Sequence, residues 1–226
     1  IDMTVPFSVQ TPQWLNYVPL SVTYTKRVGG QYFGMGRNGS ICNASIHLGT
    51  HMDGEKHFYP NGRTIGQVPL SEWVGPGVIA DISHLVSDSS VYTPKMIQEV
   101  VDIRKGDILV IKTGWNKYGW YSPESDEFRY MVKHPGPSAD FSRWAADMGL
   151  KWIGVDAVSA DHPMNTIMRI WHPKTFAEAM CMGCEVYHTL GSMLAKKYGK
   201  WSQRWITSYH SSPDDLEFIR TLVHLY

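Results

Sequence analysis

DILVIKTGW, residues 107–115, holds four consecutive apolar residues, Ile108 to Ile111, between Asp107 and the Thr113-Gly114 turn. A β-rich apolar run this short, bounded by turn formers, reads as a buried strand. Working outward, Val78–Ile82 and Trp152–Val155 have the same character. Helical patterns lie between them. Thr93-Pro94 opens one with an N-cap and a first-turn proline, and Ile97, Val100 and Val101 form its apolar stripe. Ser138 is placed to cap the next, where Phe141, Trp144, Ala145 and Met148 recur at helical spacing. Strands followed by helices give an α/β class, with sheet topology left open by the pattern.

Further along, Thr175 and Glu178 form the capping-box pattern of a longer helix, with Phe176, Ala179, Met180, Gly183 and Tyr187 along one side. A last helix is expected from Ser212-Pro213, with Ile219, Leu222, Val223 and Tyr226 on one face. It stops in mid-stripe, so further chain is expected beyond Tyr226. At 226 residues, the chain fits one large domain.

Twenty-one basic residues balance twenty-one acidic ones, so there is no charged field to attract nucleic acid or anionic lipid. No apolar run approaches the roughly 20 residues that span a bilayer. The opening IDMTVPFSVQTPQW also lacks the regions of a signal peptide. A soluble, cytoplasmic protein is the expectation. The three cysteines, Cys42, Cys181 and Cys184, are too few for a disulfide framework and fit a reducing compartment. Cys181 and Cys184 fall within a helical pattern without a second Cys or His pair, so they read as structural thiols.

The chemistry concentrates in SIHLGTHMDGEKHF, residues 45–58, where His47, His51, Asp53 and His57 fall within eleven residues. Gly49 and the β-branched Ile46 and Thr50 argue against a helix here. On an extended chain the odd-numbered residues share one side, which would make His47, His51 and Asp53 converge. Two imidazoles and a carboxylate suit zinc or manganese better than calcium or magnesium. Gly49, without a Cβ, would let backbone or ligand approach closely.

HLGTHMDGEKHF resembles the H-x-G-T-H-x-D-x-P-x-H-F signature of the cyclase-like metal-dependent hydrolases, the family of bacterial kynurenine formamidase and isatin hydrolase. DMTVPFSVQTPQW, GPGVIADIS, DILVIKTGW and GLKWIGVDAVSADHP are similar to other family segments, so the resemblance runs from Asp2 to Pro163. It implies a swivelling β/β/α domain spanning 1–226, with a long, family-atypical insertion around 164–215. It further implies that His47, His51 and Asp53 hold Mn2+ or Zn2+ and that His57 is the catalytic histidine. For a second metal site or a substrate-facing position, two alternatives stand: His172 followed by Glu185, or His224 with a partner past the end of the sequence. His162 and His188 are expected to be structural or substrate-facing, and His84, His134 and His210 to be ordinary loop histidines. Trp14 is a candidate wall for a planar substrate, with core packing as its alternative. Gly54-Glu55 departs from the family, standing where a small residue and a proline are common.

The implied activity is hydrolysis of a non-peptide C–N bond in an aryl formamide or a cyclic amide or imide. A lactone hydrolase on the same scaffold and a non-catalytic metal-binding relative are the alternatives. The expected partners are a small planar or aromatic substrate and a second copy of the chain, as a homodimer or larger assembly, without nucleic acid or membrane.

Overall fold

The computed structural model describes residues 4–14, 17–29, 36–58, 61–166 and 168–181. Expectations for Glu185, His188, His210, His224, Cys184 and the final helix lie outside them. The chain divides into two compact units, one of Ile1–Asp53 with Trp120–Ser125 and one of Gly54–Gly119 with Asp126–Tyr226.

In the first unit, β1 (Ser21–Lys26) pairs antiparallel with β2 (Gly39–Asn43), with Val22 opposite Cys42 and Thr23 opposite Ile41. After Asn43 the chain leaves regular structure, and residues 44–54 are neither helix nor strand. Backbone and side-chain bonds fasten this loop to the N-terminal segment. Ser45 donates its N–H to Val18 at 3.0 Å, and Val5 donates to Thr50 Oγ1 at 2.9 Å.

The second unit runs α1 (Glu55–Phe58), α2 (Leu70–Trp73), β3 (Gly77–Asp81), β4 (Val91–Tyr92), α3 (Pro94–Val100) and β5 (Ile108–Lys112). It continues through α4 (Glu127–Val132), β6 (Gly136–Pro137), α5 (Ala139–Asp147), β7 (Ile153–Val155), α6 (Met168–Trp171) and α7 (Pro173–Cys181). The three runs read as buried strands form one parallel sheet in the order β3-β5-β7, with Leu109 opposite both Val78 and Ile153. Being central, β5 has neighbours on both edges, and its Leu109 and Ile111 are fully buried. Each such side chain contributes roughly 1.5–3 kcal/mol by leaving water. Ile97 of α3 and Phe141 and Ala145 of α5 cover the sheet in the same core. At its carboxyl end, the Asp156 carboxylate accepts the backbone N–H groups of Thr113 at 2.8 Å and Gly114 at 2.7 Å. Gly114 sits at φ +77°, a left-handed conformation that glycine adopts without steric cost.

Local signals held where a side chain could satisfy the backbone. Thr93 caps α3 by accepting from Met96 N, and Pro94 occupies its first turn. One capping expectation holds in position only, and one is corrected. Ser138 is the N-cap residue of α5, but its side chain makes no cap bond and its hydroxyl donates to Asp140 instead. Thr175 is not a cap at all: α7 begins at Pro173, and Thr175 is buried inside its first turns. Proline tolerates the first helical turn, where no N–H partner is available in any case.

Candidate metal centre

The loop after β2 brings His47, His51 and Asp53 together, with ligand atoms all within 4.8 Å of one another. Among the described residues this is the one group of three or more His, Cys, Asp or Glu side chains so arranged. Strand alternation is not the cause, which corrects the sequence expectation. Gly49 lies between the histidines at φ +65° and turns the chain within the loop. A Cβ there would also meet Phe7 Cδ2 at 2.9 Å, so the close approach that glycine permits is by the Phe7 ring.

The two imidazoles are held by specific contacts. His51 Nδ1 donates to the Gly49 carbonyl oxygen at 2.8 Å, which leaves Nε2 as the nitrogen turned toward Asp53. His47 is held on one face by Tyr17, whose ring stacks on the imidazole at 5.2 Å between centroids and 19° between planes. Trp14 contributes through its backbone: its carbonyl accepts the Tyr17 N–H at 2.9 Å. Its side chain is half-buried. Hydrogen bonding to Asp53 outweighs partial burial and raises the His51 imidazole above its ordinary value of 6.5.

Three separations test whether these residues fit a cation. His47 Nδ1 is 3.0 Å from Asp53 Oδ1 and 3.2 Å from His51 Nε2, while His51 Nε2 is 3.5 Å from Asp53 Oδ1. Ligands bound tetrahedrally at 2.0–2.1 Å stand about 3.3 Å apart, so the trio approximates one triangular face of such a site. Two imidazoles and one carboxylate leave a fourth position for water or substrate, the pattern of catalytic rather than structural zinc sites. The residues fit a divalent cation.

His57 lies in α1, four residues past Asp53, and its N–H donates to Gly54 O at 3.0 Å. His172, between α6 and α7, is not part of the ligand cluster; its ring packs edge-on against Phe128 at 5.2 Å. His162 is buried with both nitrogens engaged: Nε2 donates to Ser89 O at 3.0 Å and Nδ1 accepts from Met164 N at 3.1 Å. His134 lies in the loop between α4 and β6, as expected, but is not an ordinary surface histidine. It is fully buried, and Nδ1 donates to Pro135 O at 2.9 Å. Sequence reasoning missed Tyr17, because stacking on a histidine thirty residues away has no local pattern.

Burial lowers the His134 pKa to about 3 from the ordinary 6.5, and burial lowers His162 as well. A depressed imidazole leaves the folded state neutral while the unfolded chain takes up a proton. Stability is therefore complete above about pH 6.5 and declines as pH falls toward 3. For His134 alone the loss between pH 7 and pH 5 is about 2 kcal/mol. Urea unfolding at both pH values should show that loss, and His134→Asn should flatten the slope. An equal slope in the variant would remove His134 from the acid response.

The sequence model of a family described as putative cyclase matches residues 1–162. The chain belongs to this cyclase family. Kynurenine formamidase of Bacillus thuringiensis subsp. konkukian (strain 97-27) is 29% identical over 163 residues, covering 71% of this chain and 69% of the relative. That of Bacillus mycoides (strain KBAB4) is 28% identical with the same coverage. Isatin hydrolase A from Labrenzia aggregata, solved with benzyl benzoate, superposes with a TM-score of 0.63 at 20% identity over 81% of this chain and 76% of its own. A predicted metal-dependent hydrolase from Bacillus stearothermophilus gives 0.54 at 25% identity, over 79% and 77%. The fold of this cyclase-family chain is thus the mixed α/β fold of the cyclase-like hydrolases. Among its described residues no helix is long and apolar enough to cross a membrane.

Proposed function

We propose that this protein is a metal-dependent hydrolase of a non-peptide C–N bond, acting on an aryl formamide or a cyclic amide or imide. The observation that carries the reading is the convergence of His47, His51 and Asp53 to separations that suit a three-ligand cation site. Relatives named kynurenine formamidase and isatin hydrolase support the bond type. A bound Zn2+ or Mn2+ supplies Lewis-acid charge and lowers the pKa of water.

The chain's own residues do the rest. Asp53 contributes the negative charge that holds the cation, and the Gly49 carbonyl keeps the His51 proton on Nδ1, away from the site. His57, from the helix that follows the ligand loop, takes a proton from the attacking water. It returns that proton to the leaving nitrogen. The Tyr17 ring stacked on His47 supplies an aromatic surface beside the ligand set, which favours a planar substrate. A homodimer or larger homo-oligomer in the cytoplasm is part of the same proposal, and sedimentation tests its assembly.

The test is hydrolysis of an aryl formamide, a cyclic amide of the isatin type, a cyclic imide and a lactone, with Zn2+ or Mn2+ and after chelation. Turnover of a C–N substrate that disappears on chelation and returns with metal supports the reading. Turnover of the lactone alone favours C–O hydrolysis. Stoichiometric metal without any turnover favours a non-catalytic relative.

A further inference from the structure

Among the described residues α1 covers one turn, Glu55–Phe58, far shorter than a helix that holds itself in water. The direction of His57 must therefore be set by bonds from outside the turn. Glu55, its first residue, has a side chain only 12% exposed and meets Arg63 through several bonds. Arg63 Nη2 donates to Glu55 Oε1 at 2.7 Å and Nε to Oε2 at 3.3 Å, while the Arg63 backbone N–H reaches the same Oε2 at 3.1 Å. The guanidinium's outer edge forks a second carboxylate: Nη1 and Nη2 donate to Glu72 Oε1 and Oε2 at 2.8 and 2.7 Å. Only a planar guanidinium makes two such forks at once.

The connection continues into the core. Glu72 lies in α2, whose end is gripped by Lys151 Nζ, donating to Ser71 O at 2.7 Å and Val74 O at 2.8 Å. Trp152 Nε1 donates to Trp73 O at 3.0 Å, and both donors immediately precede β7 of the parallel sheet. The chain around Arg63 also abuts α1 directly. A Cβ on Gly62 would come 2.7 Å from the Glu55 carbonyl carbon, and one on Gly54 would come 2.8 Å from Ile65 Cδ1.

We infer that Arg63, bridging Glu55 and Glu72, is a positioning residue that orients the His57-bearing turn against the core sheet. The inference rests on the catalytic assignment of His57 made above. It also gives Gly54-Glu55 a use, since the ion pair supplies the rigidity that a proline would otherwise give. Glu55 itself is not a proton acceptor in the reaction, because Arg63 engages both of its oxygens.

The test uses the metal-loaded full chain and Arg63→Met, which leaves the sequence from Asp53 to Pro60 unchanged. Two quantities are read: kcat and KM on an aryl formamide, and the rate at which trypsin cuts the Lys56–His57 bond. Cleavage reports local opening of the turn without reference to activity. The expected result is a fall in kcat of about 10- to 100-fold with KM changed less than about threefold, because misplacement by an ångström costs on this scale. Cleavage should speed by about tenfold with metal content unchanged. Glu72→Gln, which weakens only the outer fork, should give a smaller change of the same kind. Exchanging the pair, Glu55→Arg with Arg63→Glu, should recover part of the loss in kcat.

Normal kcat and normal cleavage in Arg63→Met would overturn the inference. So would loss of metal in step with activity, which would make the clamp a support for the ligand loop. A lowered melting temperature with kcat unchanged would reduce it to a structural contact. Should the wild type hydrolyse nothing in the panel, the functional reading falls, and cleavage at Lys56 alone decides whether the clamp holds the turn. If Arg63→Met does not fold, Glu72→Gln carries the same two measurements.

Discussion

His51→Ala is expected to lose stoichiometric metal. His51 is the candidate ligand whose geometry is most fully determined, with Nδ1 tied to Gly49 O at 2.8 Å and Nε2 turned toward His47 and Asp53. Its removal leaves one imidazole and one carboxylate, too few to hold a zinc or manganese ion against water. Loss of an outer-shell partner commonly costs about 10–100-fold in metal affinity, so loss of a ligand should exceed about 100-fold. Calorimetric titration with Zn2+ of chelated, repurified protein reads the affinity, and elemental analysis reads the content. Turnover should fall with content. The exposed His84→Ala serves as the control and should bind metal normally. Wild-type affinity in His51→Ala would show that the loop after β2 is not the metal cradle.

Much of the second unit was legible because its signals are local. Ile108–Lys112 is recovered to the residue as the central strand, and Thr93-Pro94 opens α3 as its side chains require. Burial on both faces demands an unbroken apolar run, and that is a pattern a sequence displays. Capping was less legible. Ser138 had a nearer acceptor in Asp140, and Pro173 started α7 two residues ahead of Thr175. A cap is a competition among neighbouring groups, and the pattern names only the contestants.

The ligand loop divides in the same way. That His47, His51 and Asp53 meet was readable from their chemistry and spacing, but the means was not. Period-two alternation and a left-handed glycine both bring nearby side chains together, and Gly49 packs against Phe7, forty-two positions earlier in the chain. Tyr17 on His47 and Arg63 on Glu55 were invisible for the same reason: each joins residues whose spacing carries no periodic signal. Likewise His134 looks like a loop histidine in HPGP, yet Gly136 of β6 lies so close to the His162 backbone that a Cβ there would come 2.3 Å from His162 Cα. Tertiary packing of that kind buries the segment without changing its composition.

His57→Ala should keep its metal and lose most of its turnover. The three cation-ligand atoms lie in the loop that ends at Asp53, whereas His57 belongs to α1 and is absent from the ligand cluster. Alanine retains the backbone bond from residue 57 to Gly54 O and favours a helical turn, so the fold around it should persist. What disappears is the imidazole proposed to move the proton, and removal of a general acid/base lowers kcat by about 10²–10⁴-fold. KM should change little, because the group acts on a proton in transit rather than on bound substrate. Comparison with Arg63→Met then separates chemistry from orientation. His57→Ala should show the larger fall in kcat, while Arg63→Met should show the larger gain in cleavage at Lys56. Elemental analysis, melting temperature and kcat from one preparation distinguish the outcomes. Metal lost together with activity would make His57 a ligand, and a metal-replete variant with near-normal kcat would remove it from the reaction.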